Sequence, residues 1–552
     1  MKALQSMRVH AGRALAFAAA GFAVLATASD ADGQARSRIT PYLEVQQVLA
    51  ADLNEGDVLT YTSVGAGVSG HVETRRVQAT ISYNYQRRIA WEGGLADEDV
   101  HSGLAAVKVQ VVPNLLTFDA GALATRSHAD ALNPIPNFQA IDDPRLVEVY
   151  SAYAGPTLST KVGGLDVGAS YRLGYVHIDD HGLAGAPRPA GQPRFDTYDH
   201  GLVHSAAASV GMSPGQLPFG WTVGAGWSRE DSDLLDARNQ GMFVRGDVVV
   251  PVGAHFAVTG GVGYEKLTAS QQDFVRDAAG RPVLTPEGNL IADPSKPRLL
   301  AYDQSGLIWD VGVIWRPSRR TELQARVGRR YGDMTYTGSF SHQINENYSV
   351  SASVYDNVTS FGKLLIMDLN GLPVNFKTAR KNNPFSGQFG GGTGGCVFGQ
   401  DPGTGGCFDD ALQAINSATF RNRGASIMFS GGRGPWGFGL GAGYTNRRYF
   451  APVDGDLFSR RHLTDQSFSL QASVNRQLSR NSGIGVDAIA GSFKGGAAGA
   501  GSSLNTGISA GYTRTLINDR LSASLSGGVY HVNGGDYDNS VASVLFGLRY
   551  SF

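Results

Sequence analysis

The chain has 552 residues, long enough for several soluble domains, but 73 Gly and only 17% charged residues are about twice the usual Gly and well below the usual charge, which argues against an ordinary soluble enzyme. With 25 Phe, 21 Tyr and 6 Trp it is far too aromatic for a disordered polymer. A net charge of −1 with no Lys/Arg block excludes nucleic acid as a partner, and two cysteines exclude a Cys-rich metal scaffold.

Lys2, Arg8 and Arg13 precede an apolar run from Ala14 to Ala28, with small residues suited to cleavage after Ala28 or Ala35. That is the layout of a secretory signal peptide, and about 15 apolar residues fall short of the ~20 that span a bilayer as a helix. Residues 1–35 are expected to be removed, and 36–552 to form the exported protein. No later segment is long and apolar enough for a transmembrane helix.

Beyond Ala35 the hydrophobic period is two, which places alternate side chains on opposite faces of a strand. Val77, Ala79, Ile81, Tyr83 and Tyr85 alternate with Gln78, Thr80, Ser82, Asn84 and Gln86; Phe468, Leu470, Ala472 and Val474 alternate with Ser and Gln; Trp436, Phe438, Leu440, Ala442 and Tyr444 alternate with Gly437, Gly439, Gly441 and Gly443. A soluble β-sandwich also alternates, but these segments run about 11 to 15 residues, longer than globular strands and enough to cross a membrane tilted. Hydrocarbon leaves backbone N–H and C=O groups unsatisfied, so a crossing sheet must close on itself. The expected fold is all-β: one large antiparallel transmembrane barrel, apolar outside and lined inside by Ser, Thr, Gln, Asn and Gly.

In chain order the predicted strands are 38–50, 57–73, 76–91, 101–113, 115–128, 146–159, 164–179, 197–213, 219–231, 239–252 and 255–269, then 303–317, 321–332, 335–346, 347–360, 418–431, 436–450, 463–477, 482–495, 503–517, 520–535 and 540–552. That is about 22 strands, with 18 to 22 as the range. The clearly long connections all follow odd strands and those after even strands are short, the asymmetry of periplasmic turns against extracellular loops. Both termini are therefore expected on the periplasmic side. In the last strand Phe546, Leu548, Tyr550 and the terminal Phe552 share one face, which resembles the C-terminal signal read by the barrel assembly machinery.

Two connections stand out, near 270–302 and 361–417, both expected to be extracellular. The first is rich in Pro and Gly, suited to an exposed loop. In the second, Gly-Thr-Gly-Gly-Cys occurs twice, ending at Cys396 and Cys407; in an oxidising compartment a disulfide between them is expected. Asp409, Asp410, Leu412 and Ile415 have the spacing of a helical turn or two. Whether this loop enters the lumen or stands outside as a cap stays open on the sequence alone.

Gly211-Met212-Ser213-Pro214-Gly215 matches the hydrolase elbow G-x-S-x-G, but a proline after the serine and a strand near 219 replace the helix that chemistry needs. Asp179-Asp180-His181 and Ser127-His128-Ala129-Asp130 resemble the Asp/His pairs of barrel enzymes, yet lie where solvated polar residues are expected. No enzyme activity and no cofactor are expected. Inward positions are expected to include Lys108, Glu322, Gln324, Arg326, Arg330, Asp487 and Arg549, and scattered charge of both signs favours hydrated polar cargo over strong ion selectivity. A lumen of this size needs narrowing. Only a few residues separate Ala35 from the first strand, so inward loops or another protein are expected to supply it.

The opening Arg38-Ile39-Thr40-Pro41-Tyr42-Leu43-Glu44-Val45, the following Gly56-Asp57-Val58-Leu59-Thr60-Tyr61-Thr62 and the Arg549-Tyr550-Ser551-Phe552 ending resemble outer-membrane barrels associated with exosortase/PEP-CTERM exopolysaccharide systems. The resemblance implies a conduit or accessory pore for exopolysaccharide, with polysaccharide-export envelope proteins, the polymer, and outer-membrane lipid and lipopolysaccharide as partners. A general diffusion porin is the second expectation, and a barrel enzyme or surface adhesin the third.

Overall fold

The computed structural model describes residues 36–54, 56–91, 97–128, 146–179, 198–285, 288–377, 396–401, 404–412, 415–452, 463–496, 501–517, 520–534 and 537–552; the expected signal peptide lies outside them. The strands are β1 (Arg36–Asp52), β2 (Val58–Glu73), β3 (Val77–Ala90), β4 (Glu98–Val112), β5 (Leu116–His128), β6 (Leu146–Val162), β7 (Leu165–Asp179), β8 (His200–Met212), β9 (Gly220–Ser232), β10 (Ala237–Pro251), β11 (Phe256–Gln271) and β12 (Leu299–Ser318). After β13 (Thr321–Arg330), β14 (Asp333–Asn345) and β15 (Tyr348–Thr359) comes helix α1 (Phe361–Gly371), then the short strands β16 (Cys396–Phe398) and β17 (Gly405–Cys407) and the single turn α2 (Asp409–Leu412). The series ends with β18 (Thr419–Arg433), β19 (Trp436–Phe450), β20 (Thr464–Ser479), β21 (Ser482–Lys494), β22 (Ser502–Ile517), β23 (Leu521–Gly534) and β24 (Tyr537–Ser551).

All strands except β16 and β17 form one 22-stranded antiparallel sheet that closes when β24 pairs with β1. The predicted strands coincide with these to within about four residues at every end. Closure follows from the alternation. On β1, Leu43, Val45 and Leu49 are exposed on the outer surface, whereas Tyr42, Glu44, Gln46 and Val48 are buried inside. The last strand repeats the pattern, with Val544, Phe546, Leu548 and Tyr550 exposed outward and Arg549 opposite Glu44 in the register.

The seam is held by more than ladder bonds. Arg549 donates to the Glu44 carboxylate through Nε (3.1 Å) and Nη2 (2.8 Å), and Glu44 also accepts from the Asn84 amide (2.7 Å) and the Gln86 amide (2.9 Å). The Phe552 N–H donates to the Pro41 carbonyl (3.0 Å), continuing the pairing to the last residue. Since Glu44 is only 3% exposed, removing one partner leaves the other charge shielded and unpaired, the costly case for an ion pair. Glu44→Ala is expected to lower unfolding stability in detergent micelles by about 3 kcal/mol, read by urea titration. A loss no larger than that of an exposed Glu→Ala would show that the pair does not hold the seam.

Candidate functional site

The described residues of the 361–417 connection, 361–377, 396–401, 404–412 and 415–417, are where the structure departs most from the strand pattern, because they turn into the barrel. Helix α1 has the helical spacing Phe361, Leu364, Leu365, Leu369, and these four side chains are buried. They pack on inward residues of the neighbouring wall: Leu123 of β5, Val147 and Val149 of β6, Val176 and Ile178 of β7, and Val203 of β8. Apolar residues on an inner barrel face are anomalous in a water-filled pore; here they form a dry contact in which each buried Leu or Phe contributes about 2 kcal/mol. Gly174 makes room, since a Cβ there would meet the Ile366 side chain at 2.7 Å.

The helix is anchored at both ends by the wall. Glu230, on the inner face of β9 and 2% exposed, accepts the Lys363 backbone N–H (2.9 Å), the Ser360 hydroxyl and the Tyr198 hydroxyl (3.1 Å). A carboxylate at the orphan amides of a helix N-terminus satisfies a donor and opposes the positive end of the dipole. The Lys363 ammonium donates to Ser228 (2.8 Å), and burial, only partly offset by the Glu230 carboxylate, pulls its pKa down to about 8. At the other end Asn370 accepts from Arg172 Nε (3.1 Å), whose Nη2 binds Asp119 (2.8 Å).

Below α1 the segment descends further. Residues 375–377 pair with the β16–β17 hairpin through the Lys377 N–H to Phe398 carbonyl and Gln400 N–H to Asn375 carbonyl bonds, both 2.8 Å. Cys396 and Cys407 face one another across the hairpin and form a disulfide. The hairpin rests on the glycine face of β19: a Cβ on Gly439 would lie 3.0 Å from the Phe398 ring, and one on Gly441 3.3 Å from Cys396 Sγ. Gln471 of β20 reaches the same sulfur. Gly439 and Gly441 lie near the start of β19, close to its short turn, so the described parts of the segment lie both near the long-loop end and near the short-turn end of the lumen. It returns through α2, where the Leu412 carbonyl accepts from Ser127 (2.9 Å), and through Thr419, bonded to Asn239 (3.1 Å).

The positions singled out from the sequence distribute around this plug. Glu322, Gln324, Arg326 and Arg330 lie on one face of β13, alternating with Leu323, Ala325 and the outward Val327. Arg326 binds Asp247 (3.1 Å) and Asp310 (3.4 Å), which also share Arg245 at 2.6 Å each. Arg330 pairs with the buried Glu265 (2.7 Å), and Glu322 with Arg316 (2.8 Å) and the Gln324 amide (2.5 Å). Asp487 sits between Ser473 and Ser509 in the register. Lys108, opposite Asp119, lines a cavity of about 980 Å³ at the short-turn end with Gln110, Thr117, Thr157, Ser159 and Lys161.

Ser213 lies in the turn between β8 and β9 with no helix following, and donates to Asp166 (3.1 Å). Asp180, His181, Ala129 and Asp130 lie outside the described residues. What the sequence reading missed is α1 and its docking surface. Two signals pointed to it: the 3.6-residue spacing of Phe361, Leu364, Leu365 and Leu369, and apolar residues such as Val147 and Val149 on the face that ought to be polar.

No protein-family model matches the sequence and no curated protein matches it. Among solved structures the chain is similar to the siderophore receptor PiuA from Acinetobacter baumannii (8% identity, TM-score 0.44, 92% of this chain and 82% of that one). It is also similar to the ferric-catecholate import receptor Fiu from E. coli (10%, 0.46, 93% and 81%) and the copper transporter OprC (12%, 0.42, 95% and 81%). None of these likenesses bears on cargo.

The glycine face gives a direct test of the plug. Gly439→Leu places a side chain where the Phe398 ring sits, and is expected to expel the hairpin while the barrel stays folded, so that added protease cuts within 361–417 at least about tenfold faster. Gly437→Ala, whose Cβ lies nearest the Asn475 amide at 3.3 Å, is expected to leave the rate unchanged. Equal cleavage in Gly439→Leu and the parent would show that the hairpin does not depend on this contact.

Proposed function

We propose that the chain is an outer-membrane channel for hydrated polar solutes, saccharide chains foremost, whose lumen is narrowed by its own 361–417 segment. The outward belt of Leu, Val, Ile and aromatic residues faces lipid in this reading, and the polar inner wall faces water. The observation that carries it is the combination of a plug built from the chain itself with a cavity at the short-turn end whose lining includes Gln110, Thr117, Thr157 and Ser159. Ser, Thr and Gln side chains exchange hydrogen bonds with sugar hydroxyls as readily as with water, so a polymer slides without a deep energy well. The inner Arg residues named above are matched by carboxylates, which weakens ion selectivity. Nothing in such a wall supplies directionality, which would come from envelope partners; the resemblance to exopolysaccharide-associated barrels agrees with export.

Planar-bilayer recordings test the reading. The full chain is expected to show small, weakly selective conductance, and a variant with 361–417 replaced by a short Gly/Ser linker a several-fold larger one. Exopolysaccharide from the host should block the enlarged pore, and a chromosomal deletion should abolish secreted polymer. Large open conductance in the full chain with normal polymer secretion in the deletion strain would instead indicate a diffusion porin.

A further inference from the structure

On the outer surface of the wall that holds the plug, β7, β8 and β9 end together at the long-loop rim. His177 and His200 are cross-strand partners there, one step beyond the outward-facing Tyr175 and Leu202. The Asp199 carboxylate lies between the two imidazoles, its Oδ1 3.4 Å from His177 Nδ1 and its Oδ2 3.5 Å from His200 Nδ1. Asp233, just past β9, accepts the backbone N–H groups of Asp199 (3.3 Å) and His200 (3.0 Å) on Oδ1. One ligand atom from each of Asp199, His200 and Asp233 lies within 4.8 Å of the others.

Two features set this cluster apart from ordinary surface polarity. Among the described residues neither carboxylate has a Lys or Arg within 4.0 Å, although most inner-wall carboxylates named above do. His177 Nδ1 is shielded from water and has no hydrogen-bond partner, while its ring as a whole is 20% exposed. A buried ring nitrogen left without a hydrogen bond is costly by itself and is satisfied when it coordinates a cation.

We propose that His177, Asp199, His200 and Asp233 form a binding site for a divalent transition-metal ion of the zinc class. Zinc takes nitrogen and oxygen donors at about 2.0–2.2 Å in a tetrahedron, which places ligand atoms roughly 3.3–3.5 Å apart. His177 Nδ1 lies at that separation from Asp199 Oδ1 and His200 Nδ1 from Asp199 Oδ2; Asp199, His200 and Asp233 hold one ligand atom each within 4.8 Å of the others, and closing all four residues on one ion takes side-chain rotation. Two imidazoles in the donor set disfavour calcium and magnesium, which prefer six or more oxygens. A bound ion would tie the ends of three strands together three residues from Glu230, the anchor of the plug. The site faces away from the lumen, so the proposal stands apart from the channel reading.

The test uses the tag-free chain in detergent, stripped with EDTA and titrated with zinc by calorimetry, with metal content measured after dialysis. One zinc per chain is expected, with no displacement by excess calcium. The double substitution His177→Asn/His200→Asn, and separately Asp199→Asn, should weaken binding at least about tenfold, while His71→Asn/His255→Asn, at histidines elsewhere on the barrel, should not. Heat-dependent gel mobility establishes that each variant is folded. Absence of saturable zinc binding by the folded parent, or unchanged binding in the His177/His200 variant, would overturn the proposal.

Discussion

Closure of the sheet is the constraint on which everything else rests. Every barrel strand pairs on both sides, including β1 with β24, so no edge is left to be satisfied by solvent or by another chain. Ring closure fixes which face is outside. It also fixes the phase of every side chain, because a one-residue slip on any strand would turn its apolar set inward. The seam is where the two ends of the chain meet, and the Glu44–Arg549 pair with its amide supports sits there.

A ring of 22 strands encloses more space than inner side chains can fill. The chain fills it with its own longest connection, and the lumen wall is adapted to receive it in two different ways. Against α1 the wall is apolar, so the helix is held as in a protein core. Against the disulfide hairpin the β19 wall is bare backbone at Gly439 and Gly441, which lack the Cβ atoms that would hold the hairpin off, and the Gln471 side chain of β20 meets the disulfide beside them. Glu230 adds a polar anchor where the helix begins, accepting the Lys363 backbone N–H.

The sector of wall carrying Arg245, Asp247, Asp310 and Arg326 shows the opposite design: charges turned inward, but tied to one another. Paired charges keep a lumen hydrated without making it a strong electrostatic filter. That agrees with the proposed passage of uncharged or weakly charged polymers, where repeated weak hydrogen bonds matter more than net potential. The outer rim differs again, since Asp199 and Asp233 stand there without a Lys or Arg partner among the described residues.

The barrel was legible in the sequence because the period of a strand is local. Tyr83 against Asn84, or Phe546 against Gly547, declares its face without reference to any other part of the chain, and the short turns after even strands set the parity. The direction taken by residues 361–417 was not legible in that way. Phe361, Leu364, Leu365 and Leu369 announce an amphipathic helix, but not what covers it, and Gly437 to Gly443 read only as small residues. Those meanings depend on contacts between positions far apart in the chain, α1 with β5–β8 and Phe398 with Gly439. Packing of that kind exists only once the ring has closed and its two partners share one interior.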